Sequence, residues 1–218
     1  MYAATPSAEH NGQKLVLATR NLHKVSEITV LLSDLAIQIR PLADFPDAPE
    51  VLEDGESCEA NAVKKAVTIA AYTGLPTIAD DTGLAVDALG GRPGAYAARY
   101  AGPQATYEDN WRKLLAELEG IPQSQRTARF MTVAAIADPL SGKVDIANGI
   151  LEGMIAEAPA GTEGFGYDPV FIVPALGKTL AQLTSAEKNR ISHRAKAFSH
   201  AKEIIRRTKM ASGRSAAW

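Results

Sequence analysis

The chain has 218 residues, 46% of them hydrophobic and 22% charged, with a net charge of −2. That length suits one large domain or two close lobes around a sizeable core, and the charge balance gives no drive toward nucleic acid or an anionic membrane surface. The single cysteine, Cys58, excludes an intrachain disulfide and a cysteine-based zinc site. With no apolar run long enough to span a bilayer, a cytoplasmic protein is expected.

Residues 1–12 are small and polar and read as a disordered leader, and residues 209–218 as a frayed tail. The stretch between them, 13–208, reads as one domain. Lys14 to Thr19 has the pattern of a buried strand, and Leu22 to Leu35 carries Val25, Ile28, Leu31 and Leu32 on one helical face. A second strand over Ala36 to Leu42 completes a βαβ start. Asp44 to Glu56 is an acidic, proline-containing loop, followed by a helix from Glu59 to Tyr72 with Gly74 as its C-cap.

Leu75 to Ala79 is a short apolar strand that ends on Asp80-Asp81-Thr82-Gly83. Acids at the end of a buried strand sit where α/β folds place their ligands. Two adjacent acids repel and call for a cation, and hard oxygen ligands favour Mg²⁺ or Mn²⁺ over zinc. The pair points to metal-assisted phosphate chemistry, against the plainer alternative of a turn with an N-cap.

Further along, Gly90 to Gly94 is a shaped loop. Thr106 to Leu118 is an amphipathic helix with Tyr107, Trp111, Leu114, Leu115 and Leu118 on its apolar side. Arg126 to Ala137 and Lys143 to Ile155 form a hairpin about the turn Asp138 to Gly142. A glycine-rich loop over Pro159 to Tyr167, a strand over Val170 to Val173 and a last helix over Ser192 to Arg207 complete the chain.

Several of these segments carry chemistry. Thr19, Arg20, Asn21 and Lys24 lie between a strand and a helix start, where backbone N–H groups attract phosphate; helix capping by Asn21 is the simpler reading. Glu53, Asp54, Glu56 and Glu59 compete as a metal ligand, or are a solvated loop. Lys64 or Lys65 faces a phosphate, or both are solvated. Phe165, set between Gly164 and Gly166, stacks on a base or fills the core. A capping box explains Glu187 but leaves Lys188 unexplained. His193 and Arg194 open the last helix against its dipole, which is unfavourable unless an anion faces them.

Taken in order, Leu17 to Lys24, Glu59 to Ala66, Ala79 to Leu84, Pro93 to Gly102, Gly164 to Phe171 and Ser192 to Arg194 resemble the inosine/xanthosine triphosphate pyrophosphatase family. The resemblance spans about Lys14 to Arg207. It implies an elongated α/β fold, with a long curved mixed sheet and two lobes flanking a central active-site cleft, usually as a homodimer. The implied reaction is Mg²⁺-dependent hydrolysis of ITP, dITP or XTP to the monophosphate and pyrophosphate, which cleanses the nucleotide pool.

By the same resemblance, Thr19, Asn21 and Lys24 would hold the triphosphate, and Asp81 would be proton acceptor and Mg²⁺ ligand. Glu53 would help to bind the metal, with Asp80 in support. Thr82, Lys65 and Lys188 would contact the nucleotide. Phe165 would stack on the purine, Gly166, Tyr167 and Asp168 would shape its pocket, and His193 and Arg194 would read the base. Arg20 departs from the family's usual glycine, and would add a phosphate contact or narrow the opening. The alternatives are a Mg²⁺-dependent phosphatase of monophosphates or sugar phosphates, and a non-catalytic nucleotide- or RNA-binding module; the low aromatic content, 6%, counts against RNA.

Overall fold

The computed structural model describes residues 12–211, so residues 1–11 of the expected leader and 212–218 of the expected tail lie outside the described residues, and 209–211 of that tail are helical. Among them run eight strands and five α-helices. These are β1 (Lys14–Leu17), α1 (Leu22–Leu31), β2 (Gln38–Pro41), α2 (Cys58–Thr73), β3 (Thr77–Val86), β4 (Pro93–Gly94) and α3 (Tyr107–Glu117), then β5 (Thr127–Ala137), β6 (Val144–Ile155), β7 (Phe171–Val173), β8 (Lys178–Thr179), α4 (Ser185–Ile191) and α5 (His193–Ala211). All eight strands join one mixed sheet in the order β2-β1-β3-β5-β6-β7-β8, with β4 paired to β3.

β1 lies parallel to both β2 and β3, and the remaining ladders are antiparallel. Leu15, Val16 and Leu17 are all fully buried, because helices cover both faces of the parallel end; that is why β1 reads as a continuous apolar run. α1 and α5 pack on one face with Leu15, Leu17 and Ile78, and α2 packs on the other with Val16 and Ala79. A third apolar cluster, around Leu84, Leu114, Phe130 and Phe171, supports the far end of the sheet under α3.

α1 and β3 depart from the sequence reading in ways that bear on the site, and α4, β4 and β8 are not anticipated by it. α1 stops at Leu31 rather than Leu35. Leu35 still enters the α1/α5 cluster, but from the turn after the helix, so its apolar spacing imitates another helical turn, and Ile37 joins the same cluster just before β2 begins at Gln38. β3 does not end at Ala79: it continues through Asp80 and Asp81 to Val86 and pairs with β5 along its whole length, Asp80 opposite Ala134 and Asp81 opposite Val133. A run of buried strand broken by two acids looks terminated, yet here charged partners on the covering helices make the acids tolerable inside the sheet.

The expected caps are present. Gly74 closes α2 in the left-handed conformation at φ 65°, and Thr106 with Asp109 forms a capping box on α3. At Gly149 a Cβ would collide with the His193 carbonyl and Ala197 nitrogen, so this glycine lets the first turn of α5 lie directly on β6. That contact seats His193 and Arg194 against the sheet.

Candidate active site

A cleft of about 340 Å³ opens between the parallel end of the sheet and the α3 end. It is lined by Thr19, Arg20, Asn21, Lys24, Glu53, Lys65, Asp81, Thr82, Phe165, Gly166, Tyr167, Asp168, Lys188, His193 and Arg194. Asp54, Glu56, Glu59 and Lys64, the alternatives in the acidic loop and on α2, lie outside it. Of the residues to which the resemblance assigns a role, Asp80 is the one that does not line it.

The reason is strand alternation. Successive side chains of β3 leave on opposite faces, so Asp80 points toward α5 and Asp81 toward α2. Asp80 Oδ2 accepts from Lys24 Nζ at 3.1 Å and from Arg194 Nε at 3.3 Å, while Oδ1 has no hydrogen-bond partner. Burial opposes the charge of Asp80, but Lys24, Arg194 and Lys65 together hold its carboxyl well below the usual range. In this arrangement it is a buried counter-ion to Lys24 and Arg194, on the opposite face of the strand from Asp81.

Asp81 has different surroundings. Asn61 Nδ2 donates to its Oδ2 at 3.2 Å, and Lys65 Nζ stands 3.7 Å from its Oδ1. Burial pushes its carboxyl up, against the pull of Lys65 and Lys24, and Glu53 adds to the rise. The Cys58 thiol beside it is raised to about 12 by burial and by the Asp81 charge, so it stays protonated. Lys65 Nζ also donates to Glu53 Oε1 and to the Asp80 carbonyl, both at 2.6 Å. Burial works against its ammonium, but Asp81, Asp80 and Glu53 keep it charged.

Glu53 is therefore the acid of the acidic loop that shares a cation with Asp81. Asp54 turns outward to Lys64, and Glu56 and Glu59 are exposed. Among the described residues no three His, Cys, Asp or Glu side chains converge into a ready-made metal cage. Asp81 and Glu53 nevertheless offer hard oxygens around a single lysine, which suits a magnesium-like ion held by one or two carboxylates plus phosphate oxygens and water.

The turn before α1 caps that helix as the simpler reading held: Asn21 Oδ1 accepts from the His23 and Lys24 backbone nitrogens. Thr19 Oγ1 accepts from the Asn21 nitrogen at 3.2 Å. Arg20 Nη2 donates to the Ala48 carbonyl at 3.0 Å, tying this turn to the acidic loop. Thr82 Oγ1 lies 2.7 Å from Thr132 Oγ1 and accepts from Arg194 Nη2 at 3.3 Å.

At the other end, Phe165 stands under Lys188 and Arg194, with Lys188 Nζ 4.9 Å and Arg194 Cζ 5.4 Å from its ring centroid. Asp168 Oδ2 accepts from the Phe165 nitrogen at 2.9 Å and from Lys188 Nζ at 2.6 Å. Tyr167 donates its hydroxyl to the Ala97 carbonyl at 2.8 Å, and Gly166 turns the loop at φ 66°. His193 stacks on Phe130 at 4.4 Å, and its Nδ1 is buried without a hydrogen-bond partner.

The anions facing the start of α5 are the protein's own. Arg194 Nη1 donates to Glu27 Oε2 at 2.6 Å, its other nitrogens reach Asp80, and Lys188 donates to Glu27 Oε1 at 2.8 Å. Through Arg194, Glu27 thus links Lys188 to Asp80. Sequence reasoning missed it, although it stands one turn after Lys24 on the same helix face. Tyr107 was also misplaced: it leaves the apolar side of α3, accepts from Asn21 Nδ2 at 2.9 Å and lies 5.8 Å from Phe165 at the cleft mouth.

His193 carries a pH dependence. Burial, together with Arg194 and Lys188, lowers its pKa well below the ordinary value. The unfolded chain therefore takes up a proton near pH 6.5 that the folded chain refuses, and stability falls as pH drops below that point, by at most about 1.4 kcal/mol per pH unit from this group. Urea unfolding of wild type and His193→Asn between pH 8 and pH 5.5 is expected to show a steeper loss for wild type. Parallel losses would mean His193 does not remain neutral in the fold.

Residues 15–204 match the Ham1 family. The dITP/XTP pyrophosphatase of Geobacter sulfurreducens is 50% identical over 192 residues, covering 88% of this chain and 96% of that protein. The protein of the same name from Shouchella clausii is 49% identical over 193 residues, with 88% and 96% covered. Among solved structures, a HAM1 protein from Coxiella burnetii superimposes with a TM-score of 0.82 at 40% identity, covering 89% of this chain and 99% of that one. The Staphylococcus aureus Ham1 protein gives 0.80 at 36% identity, covering 90% and 100%. With the match running over both sides of the cleft and through every segment that lines it, this chain belongs to the Ham1 family.

Proposed function

We propose that this protein hydrolyses deaminated purine nucleoside triphosphates (ITP, dITP and XTP) to the nucleoside monophosphate and pyrophosphate, with Mg²⁺, and so removes them from the nucleotide pool. One observation carries the reading: a single cleft holds an aromatic platform with buried polar groups at one end, and a lysine-bridged pair of carboxylates at the other. The names of the relatives, dITP/XTP pyrophosphatase, support the same reaction.

Lys24 and Lys65 supply positive charge for the triphosphate, at the positive end of the α1 dipole. Asp81, its basicity raised by burial, accepts the proton of the attacking water. Asp81 and Glu53 are the residues to hold Mg²⁺, which when bound neutralises phosphate charge and polarises phosphate oxygens. Hypoxanthine and xanthine present an O6 acceptor and an N1–H donor, and adenine presents the reverse. A pocket in which His193 and Arg194 read the base through a donor toward O6 leaves adenine badly paired, which costs on the order of a hundredfold or more in kcat/KM.

The test is pyrophosphate release from ITP, XTP, GTP and ATP with Mg²⁺. Fast release from ITP and XTP, with little from ATP, is the expected result; guanine shares O6 and N1–H, so release from GTP reports whether the 2-amino group is read as well. Equal release from all four would overturn the base-reading pocket. Orthophosphate alone would favour the phosphatase alternative.

A further inference from the structure

We propose that Asn61 is the positioning residue that aims Asp81 and ties the Glu53 loop to it. This rests on Asp81 being the proton acceptor. Asn61 is fully buried on α2, and both ends of its amide are engaged. Oδ1 accepts from the Gly55 backbone nitrogen at 2.8 Å, and Nδ2 donates to Asp81 Oδ2 at 3.2 Å.

Chemistry sets this orientation. The Gly55 N–H can only donate, so it requires the amide oxygen, and the amide nitrogen is left for the carboxylate. The approach is close enough that a Cβ on Gly55 would stand 2.7 Å from Asn61 Oδ1 and 2.9 Å from Ala60 Cβ. One side chain thereby fastens three elements: the loop two residues beyond Glu53, helix α2 and strand β3.

The consequence is an asymmetric carboxylate. Oδ2 is held by Asn61, and Oδ1 faces Lys65 Nζ at 3.7 Å. In the proposed reaction the water O–H bond breaks and its proton passes to Oδ1, while the water oxygen bonds to phosphorus. The anhydride P–O bond breaks, and its electron pair leaves on the departing phosphate oxygen. Without Asn61 the carboxylate rotates between its two oxygens, while Glu53 keeps its own ties, Lys65 Nζ on its carboxylate and Arg99 Nη2 on its carbonyl.

The experiment compares wild type with Asn61→Leu, which is near in volume but neither donates nor accepts, and with Asn61→Ser, whose hydroxyl is too short to span both partners. Steady-state kinetics with ITP, thermal unfolding and the Kd of a nonhydrolysable α,β-methylene analogue are measured for each. The expected result is a fall in kcat of about 10- to 100-fold, the usual range when a group orienting a ligand or catalytic residue is lost. KM and the analogue Kd stay within about threefold, as expected when only the chemical step has lost support.

A kcat within twofold of wild type in a folded variant overturns the proposal. So does a loss of kcat matched by an equal weakening of analogue binding, because that would mark a merely structural residue. If wild type itself releases no pyrophosphate, the proton-acceptor reading falls and takes this one with it; a variant as active as an active wild type removes this one alone.

Discussion

Asp81→Asn is expected to lower kcat for ITP by about 10²- to 10⁴-fold, the range that a positioned proton acceptor contributes. The nucleotide is expected still to bind through the lysines and the aromatic end of the cleft, while the Mg²⁺ concentration needed for half-maximal rate rises, because Asp81 is also proposed to hold the metal. The substitution has a second signature. Asp81 is a buried carboxylate whose pKa is raised, mainly by burial, so its charge is carried in the fold at a cost in free energy near neutral pH. An amide of the same shape avoids that cost, and the thermal midpoint of Asp81→Asn is therefore not expected to fall. Lost activity with undiminished stability marks a group kept for chemistry. A kcat within tenfold of wild type would remove Asp81 from the mechanism, and a collapsed midpoint would make it a structural acid.

The largest stability effect is expected at Arg194. Its guanidinium is buried and is shared between Asp80 and Glu27, with contacts of 3.3 Å and 2.6 Å. Removing one partner from a buried ion network strands the others, at about 3–5 kcal/mol. Arg194→Met keeps much of the bulk and loses the charge, and its unfolding midpoint is expected about 10 °C below wild type. Adding Asp80→Asn removes one stranded carboxylate and is expected to restore part of the loss. Additive losses in that double-mutant cycle would show that the two residues do not interact.

The sign with pH follows from Asp80 and Glu27, whose folded pKa values lie below their unfolded ones. The stability they contribute is complete above the ordinary carboxylate range and is lost as pH falls through the folded values. The gap between wild type and Arg194→Met is accordingly widest near neutral pH, and narrows on acidification.

Much of this protein was legible in its sequence because it depends on short-range rules. Caps such as Gly74 and Thr106 follow from local backbone chemistry, and the β5–β6 hairpin follows from two β-rich runs about a turn. The cleft residues were legible for another reason: charges, glycines and an aromatic at strand–helix junctions are costly for folding alone, and so stand out. A single sequence does not show which partner each buried charge takes. Glu27 and Arg194 are 167 residues apart, and Asp80 and Arg194 are 114 apart. Those pairings exist only once α1, β3 and α5 are packed together.

The adjacency of Asp80 and Asp81 shows the limit most clearly. In sequence they form a pair beside a presumed strand end. Inside β3 the two-residue period of the strand sends one to α5 as a counter-ion and the other to α2 and the cleft. The sequence by itself determined the short-range elements and marked residues such as Asp81, Phe165 and Arg194 as unusual for folding alone, whereas Glu53 and Lys65 stood out only through the family resemblance. Tertiary structure alone decided their division of labour, because the role of a carboxylate depends on the charges and hydrogen-bond donors that distant segments bring to it.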